Sequence, residues 1–288
     1  MSVSTNLIHR AVIVLALSAC AQPHSRSTAP HTEPTGTPVT ATEVESWTPQ
    51  ITPGLSEYFI SDTSLVSINN DTTSQALPIE TSMSYTITIG ATGDSFSVSG
   101  KVDSSTINSR LRTKAQAGDT TKIVELQATL TRKGEFRPQT RQQLLSCSSS
   151  SNSTTSRIYE LIVPYPKDKI KIGDNWTDTV SNTDCHGKTP LTQKTIREFE
   201  VKAFTPWHDR DAVEVQRTVN IIFTGVSTDP NTHLQATGSG SGEATLFLDR
   251  KTARLLESNG QTKSTVMIVT SRGQFPFTQL TSTHITAR

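Results

Sequence analysis

Met83-Ser84-Tyr85-Thr86-Ile87-Thr88-Ile89, then Gly90-Ala91-Thr92-Gly93-Asp94, then Ser95-Phe96-Ser97-Val98 is the stretch whose reading decides the fold class. Met83, Tyr85, Ile87 and Ile89 alternate with small hydroxylated residues, a period of two that places one apolar row on one face of an extended strand. The glycines and Asp94 interrupt the pattern, and Phe96 and Val98 resume it, which predicts a β-hairpin with a short polar loop. Working outward, Val124, Leu126, Ala128 and Leu130 form the next stripe, ended by Lys133-Gly134. After a turn at His208-Asp209-Arg210-Asp211, Val213, Val215, Val219, Ile221 and Phe223 share one face, with Arg217 the exception. Leu246-Phe247-Leu248, Val266-Met267-Ile268-Val269 and a last strand through Leu280 and Ile285 complete the series. Only Ser105 to Gln116 and Gln139 to Leu145 have helical flavour, and both are short. The expected fold is mainly β: an antiparallel meander forming a curved sheet, half-open barrel or sandwich, with few or no helices.

Composition agrees with this reading. The 288 residues, 33% hydrophobic and 18% charged, fit one ordinary domain plus tails, or two small ones. More than a quarter of the chain is Ser or Thr, a bias suited to exposed strand faces and polar tethers and not to helical bundles. Lys+Arg 27 against Asp+Glu 26 supplies no basic field for phosphate backbones, so no nucleic-acid partner is expected.

The amino end carries a different signal. A polar start ending in His9-Arg10 precedes the apolar run Ala11-Val12-Ile13-Val14-Leu15-Ala16-Leu17, followed by Ser18-Ala19-Cys20. This is the layout of a secretory signal peptide over residues 1–19, and the run is too short to span a bilayer. Leu17-Ser18-Ala19-Cys20 resembles the lipobox of bacterial lipoproteins, which implies cleavage before Cys20 and acylation of its sulfur and amino group. Several acyl chains, each contributing about 0.8 kcal/mol per buried CH₂, hold a protein on a membrane far more firmly than one. Loss of residues 1–19 removes only Arg10 from the charge count, leaving 26 against 26, so attachment would rest on lipid and not on anionic headgroups. In lipoproteins of double-membrane bacteria, the residue after the Cys influences sorting. Ala21 is not the Asp associated with inner-membrane retention, so the expected location is the cell envelope on the extracytoplasmic side, with the outer membrane favoured if the source has two membranes.

Residues 20–53 are rich in Pro, Thr, Ser and Ala, with Trp47 the one large aromatic residue, and read as a disordered tether. The β-rich body then runs over 54–288, with a candidate division into two halves near 146–158. Once Cys20 is assigned to lipid, Cys147 and Cys185 remain, and an even pair in an exported protein is most simply a disulfide. Closing that loop would contribute about 4 kcal/mol in the chain-entropy model. The alternative, a redox or metal pair with His186, lacks the spacing of a zinc site.

Val163-Pro164-Tyr165-Pro166, then Ile172-Gly173-Asp174-Asn175-Trp176-Thr177-Asp178-Thr179, then Cys185, is similar to a pattern in uncharacterised bacterial envelope lipoproteins, which pair a P-x-P stretch with V-G-D-x-W-x-D-T. The likeness continues through Gly238-Ser239-Gly240-Ser241-Gly242 and Leu248-Asp249 to the closing strand with Phe277 and Gln279. The resemblance implies an envelope lipoprotein and brings no ligand, cofactor or catalytic residue with it. On physical grounds Gly173-Asp174 is a turn delivering Trp176 into a core, with ligand stacking the other reading. Gly238, Gly240 and Gly242 fall on one face of a strand and leave it bare, which serves sharp curvature or the floor of a ligand groove.

No His-Glu-x-x-His, Gly-x-Ser-x-Gly, Ser-x-x-Lys or Gly-x-x-x-x-Gly-Lys motif is present, and the histidines are scattered through loop-like sequence. No catalytic residue, metal or cofactor is therefore expected, and the protein reads as a non-enzyme. The leading expectation is a lipid-anchored envelope protein binding a hydrophobic or envelope-derived ligand on a curved sheet. The alternative is a structural or assembly factor presenting a β-surface to another envelope protein; a hydrolase with an unfamiliar site stands third.

Overall fold

A computed structural model of the protein describes residues 45–70, 73–109, 125–132, 135–138, 159–165, 169–186, 189–227, 233–271 and 273–288. Its strands are β1 (Ser46–Trp47), β2 (Gly54–Asn70), β3 (Thr73–Thr92), β4 (Ser95–Ser109), β5 (Glu125–Thr131), β6 (Phe136–Pro138), β7 (Ile170–Lys171), β8 (Asn175–His186), β9 (Thr189–Trp207), β10 (Arg210–Val226), β11 (Gln235–Asp249), β12 (Leu255–Thr270) and β13 (Gly273–Ala287). Eleven of them form one antiparallel sheet curled into a half-barrel, in the order β6-β5-β4-β3-β2-β13-β12-β11-β10-β9-β8, while β1 and β7 pair separately. The expected fold class is therefore the observed one. The sheet is a meander except at β2–β13, where the first and last long strands join. Sequence on both sides of 146–158 thus belongs to a single sheet, and residues 146–158 themselves lie outside the described residues.

The hairpin of residues 83–98 has a tighter turn than its sequence suggests. Gly90, Ala91 and Thr92 continue β3 and pair with Ser97, Phe96 and Ser95, so the loop is only Gly93-Asp94. Gly93 takes a φ of +57° at the first loop position, which a residue with a Cβ occupies only at a cost. The β9–β10 turn is likewise reduced to His208-Asp209, because Arg210 and Asp211 already pair with Trp207 and Pro206. The helical flavour of Ser105 to Gln116 is corrected over its first part. Ser105–Ser109 is the end of β4, paired with β3, because ladder bonds and cross-strand contacts outweigh a weak local helix preference. The remainder of that segment, and Gln139 to Leu145, lie outside the described residues, as do Lys133-Gly134. Residues 159–161 are helical and lead into an extended segment lying in the core.

Period two explains why one face of this sheet is hidden. Along β10, Val213, Val215, Arg217, Val219, Ile221 and Phe223 are all buried, and the intervening residues are not, apart from Ala212. Register shifts at Ser84/Tyr85, Glu214/Val215 and Phe247/Leu248 add local twist, and the last two fall on neighbouring strands near the same end of the sheet. Trp47, read from sequence as part of the tether, is 2% exposed and belongs to the main apolar cluster.

Candidate functional site

The inner face of the half-barrel changes chemistry along the strand axis. The end carrying the turns Gly93-Asp94 and His208-Asp209 is filled with aromatic residues: Trp47 packs edge-on against Tyr165 at 5.2 Å, and Trp176 stacks on Phe199 at 5.3 Å. The Gly173-Asp174 turn delivers Trp176 as the sequence suggests. Gly173 has φ +84°, its N–H donates to the Val201 carbonyl at 2.8 Å, and an Asp174 carboxylate oxygen accepts the Lys171 N–H at 3.0 Å. Trp176 is a packing residue here.

The chain entering at Glu45 is fastened to the β11–β12 turn. Trp47 Nε1 donates to the Arg250 carbonyl (2.8 Å), the Arg250 guanidinium reaches Glu45 (2.6 Å), and Arg254 donates to the Thr52 and Leu55 carbonyls (2.8 and 2.7 Å). Tyr165 donates its hydroxyl to the Ala253 carbonyl at 2.7 Å, and burial raises its pKa, so it stays a donor through the physiological range. A cavity of about 30 Å³ remains between Tyr58, Leu130, Leu161, Tyr165 and Arg254, with room for water and not for an acyl chain. This end is a packed core.

The middle of the inner face is a polar belt, three cross-strand rows deep. One row runs Thr81, Asp62, Thr283, Gly260, Ala244, Arg217, Phe199, Trp176; the next runs Ile79, Ser64, Thr281, Thr262, Gly242, Val219, Arg197, Asp178; the third runs Leu77, Val66, Gln279, Ser264, Gly240, Ile221, Thr195, Val180. Ser64 and Thr281 share a hydrogen bond of 2.8 Å, Gln279 Nε2 donates to both (3.1 and 3.0 Å), and Thr283 donates to Asp62 at 2.6 Å. The belt's buried atoms without a hydrogen-bond partner include Trp176 Nε1, at the sheet's edge, and Thr262 Oγ1 and Gln279 Oε1, whose residues are each 1% exposed. Leaving such groups orphaned costs about 1–3 kcal/mol each, so the belt carries unmet hydrogen-bonding capacity. The face turns apolar again from the belt's β10 side onward, where Val219 and Ile221 of the belt join Phe223, Ala236, Val266 and Phe277 in a second cluster.

Gly238, Gly240 and Gly242, the candidate groove residues, sit on this inner face between β10 and β12. Their cross-strand partners are Phe223, Ile221 and Val219 on one side and Val266, Ser264 and Thr262 on the other. A Cβ on Gly238 would collide with the Thr265 carbonyl oxygen and lie 2.8–2.9 Å from Val266, and one on Gly240 would lie 2.9 Å from the Ser264 Cβ. At Gly238 and Gly240 the neighbouring strand is too close for a side chain, so these glycines serve the curl of the sheet and, with Gly242, leave a bare strip. Gly238→Ala is accordingly expected to cost about 1–3 kcal/mol, as overpacking against backbone does, and chemical denaturation would measure it.

At the β8 edge, Arg197 is buried and forms an ion pair with Asp178 through Nη2, with Nε also donating to the same carboxylate oxygen at 3.0 Å. Its Nη1 donates to the carbonyls of Tyr159 (2.5 Å) and Ile162 (3.4 Å), capping the helical residues 159–161 and tying the 159–165 segment to β9. Burial pushes the Tyr159 hydroxyl up to about 12, with Arg197 opposing and Asp178 adding to the shift.

The other sequence candidates have a plain outcome. Cys20 and Cys147 lie outside the described residues, so the structure places neither the lipidation site nor the Cys147–Cys185 disulfide; Cys185 sits on β8, its backbone opposite Pro190. Among the described residues, no group of three or more His, Cys, Asp and Glu side chains converges as metal ligands, and no helix is long and apolar enough to cross a membrane. Arg197, Thr262 and Ser64 carried no signal in the sequence, because a polar residue at one position of a strand looks the same whether it faces water or a buried belt. Arg217, the break in an apolar stripe, was the one visible trace of that belt.

No protein-family model matches the chain, and no curated protein is similar to it at a significant level. Among solved structures, it is similar to DynF from the dynemicin biosynthesis pathway of Micromonospora chersina, at 11% identity over 90% of this chain and 92% of that one, with a TM-score of 0.23. A likeness of that size carries no argument about what this protein does.

Proposed function

We propose that the protein is a lipid-anchored, noncatalytic component of the bacterial cell envelope, held by acyl chains on Cys20, whose curled sheet takes an apolar ligand along its inner face. The anchor rests on the lipobox-like Leu17-Ser18-Ala19-Cys20 and on the resemblance to envelope lipoproteins, and Ala21, in place of an Asp after the cysteine, favours the outer membrane in a double-membrane source. One observation carries the binding role. The inner face of the half-barrel carries a second, buried apolar cluster beside a strip of glycines, at the end away from the filled aromatic core. Concave sites lined mostly by apolar side chains with a few placed polar groups, the mouths of β-barrels among them, are where small ligands bind.

Full-length protein carrying Cys20→Ser, exported and purified without detergent, is the material for the test. Native mass spectrometry is expected to show a co-purifying small molecule that is lost on organic extraction. Recovery of the bare polypeptide alone, with no displacement of an apolar fluorescent dye by envelope lipid extract, would remove the ligand-binding reading. Palmitate labelling of the wild-type chain, absent in Cys20→Ser, tests the anchor separately.

A second reading, an assembly factor docking another envelope protein, is favoured by β8. Among the described residues no strand pairs with its outer edge, which leaves a template for strand addition. Cross-linking from that edge in the envelope, capturing one defined partner, would support it.

A further inference from the structure

We propose that the belt between β11 and β13 is the recognition site for an uncharged hydroxyl group on an otherwise apolar ligand, seated on Thr262 and on the open end of the Gln279 amide. This rests on the reading of the inner face as a ligand surface and goes beyond it by naming the ligand's polar group. The bare strip alone would say nothing; the two orphaned atoms beside it say what is missing. Thr262 lies directly across from Gly242, and Gln279 lies one strand beyond Ser264, which is across from Gly240. Both side chains are 1% exposed, and both come from the inner face. The near end of the Gln279 amide is held by Ser64 and Thr281, at 3.1 and 3.0 Å. Whichever way the amide is turned, its far end is left without a partner. Thr262 contributes a hydroxyl that neither gives nor receives a hydrogen bond.

A hydroxyl on the ligand fits both requirements, because it donates and accepts at once. An ionised group fits less well, since the direct cross-strand partners of the two residues, Gly242 and Thr281 for Thr262 and Ser264 and Val66 for Gln279, are neutral, and the buried charges of the belt, Asp62 and Arg217, lie in the next row. The apolar remainder of the ligand has Ile221, Phe223, Val266 and Phe277 within one or two rows of the belt. Thr262 and Gln279 are diagonal neighbours with side chains roughly 7 Å apart, a separation that a vicinal diol bridges better than a single hydroxyl.

The test uses full-length Cys20→Ser protein stripped of bound lipid and three probes with one acyl chain in common: 1-monolauroylglycerol, methyl laurate and laurate. Wild type is expected to bind monolauroylglycerol about tenfold more tightly than methyl laurate, the factor that one or two uncharged hydrogen bonds supply. Thr262→Val, which keeps the shape and deletes the hydroxyl, is expected to lower that preference to about twofold while leaving methyl laurate binding unchanged. The ligand-free Thr262→Val protein is expected to melt at the wild-type temperature or above it, because an orphaned buried hydroxyl has been removed. A hydroxyl with a purely structural role would give the opposite shift. Gln279→Met serves as the second variant, with the same loss of preference expected.

Equal binding of the three probes, a preference for laurate, no binding of any probe, or a Thr262→Val protein that binds monolauroylglycerol like wild type would each overturn the inference. If native mass spectrometry nevertheless finds a bound ligand lacking a hydroxyl, the general binding role stands and this assignment alone falls.

Discussion

Asp178→Ala is expected to lower the stability of the protein by about 3 kcal/mol, the lower end of what breaking a buried ion pair costs when the partner charge stays behind. Arg197 would remain with its side chain 6% exposed and two backbone carbonyls as its remaining acceptors, while Asp178 itself is 27% exposed, which discounts the loss. The effect has an address as well as a size. Arg197 holds the 159–165 segment against β9, so amide exchange at Leu161 to Tyr165 should accelerate more than exchange in β10 and β11. Asp178→Asn, which keeps one acceptor, is expected to lose less. Replacing both partners, Asp178→Leu with Arg197→Met, should recover much of the stability, since a well-packed apolar pair avoids the desolvation that the ions incur. Urea denaturation of the four proteins decides this; a double variant as weak as Asp178→Ala would contradict the account.

Trp47→Ala is expected to cost about 3–5 kcal/mol, the range for deleting a large buried aromatic side chain that its surroundings cannot refill. Trp47 packs edge-on against Tyr165, donates to the Arg250 carbonyl, and sits in the short β1–β7 pairing opposite Ile170. Its removal would also loosen the Arg250 contacts to Glu45 and Ser46, which among the described residues are backed only by the short pairing of Ser46 with Lys171. The functional consequence concerns geometry. If Cys20 carries the anchor, the leash enters the body at the aromatic end, and the belt and second apolar cluster lie farther along the strands. Thermal unfolding of Trp47→Ala, with proteolysis at residues 45–53 as the local readout, tests the assignment. A variant that melts like wild type would return this segment to the tether.

The apolar strand rows were legible in the sequence because burial on one face leaves a period of two that composition cannot disguise. The alternating residues at 83–89 and 213–223 and the turn glycine Gly93 all found their expected places, and Trp176 was legible as a core residue from the Gly-Asp turn before it. The glycine strip was visible too, though not its neighbours. The polar belt was nearly invisible, because Thr262, Ser264, Gln279 and Thr281 are residues that a solvent-facing strand also favours, and only the partner strands show that water is excluded from them. Ser105–Ser109 turned out to be strand for the same reason, since its ladder with β3 is a contact that local preference cannot register.

What the sequence determined by itself was the class of the fold and the approximate places of the turns at Gly93-Asp94 and His208-Asp209, both properties of residues close together in the chain. Only the tertiary structure decided that Trp47 belongs to the core, that Arg197 fastens the segment crossing the sheet, and that two polar side chains face inward beside a bare strip. Each of these depends on partners between about 20 and more than 200 residues distant, and the free energy of such a contact exists only once the curl of the sheet has brought them together.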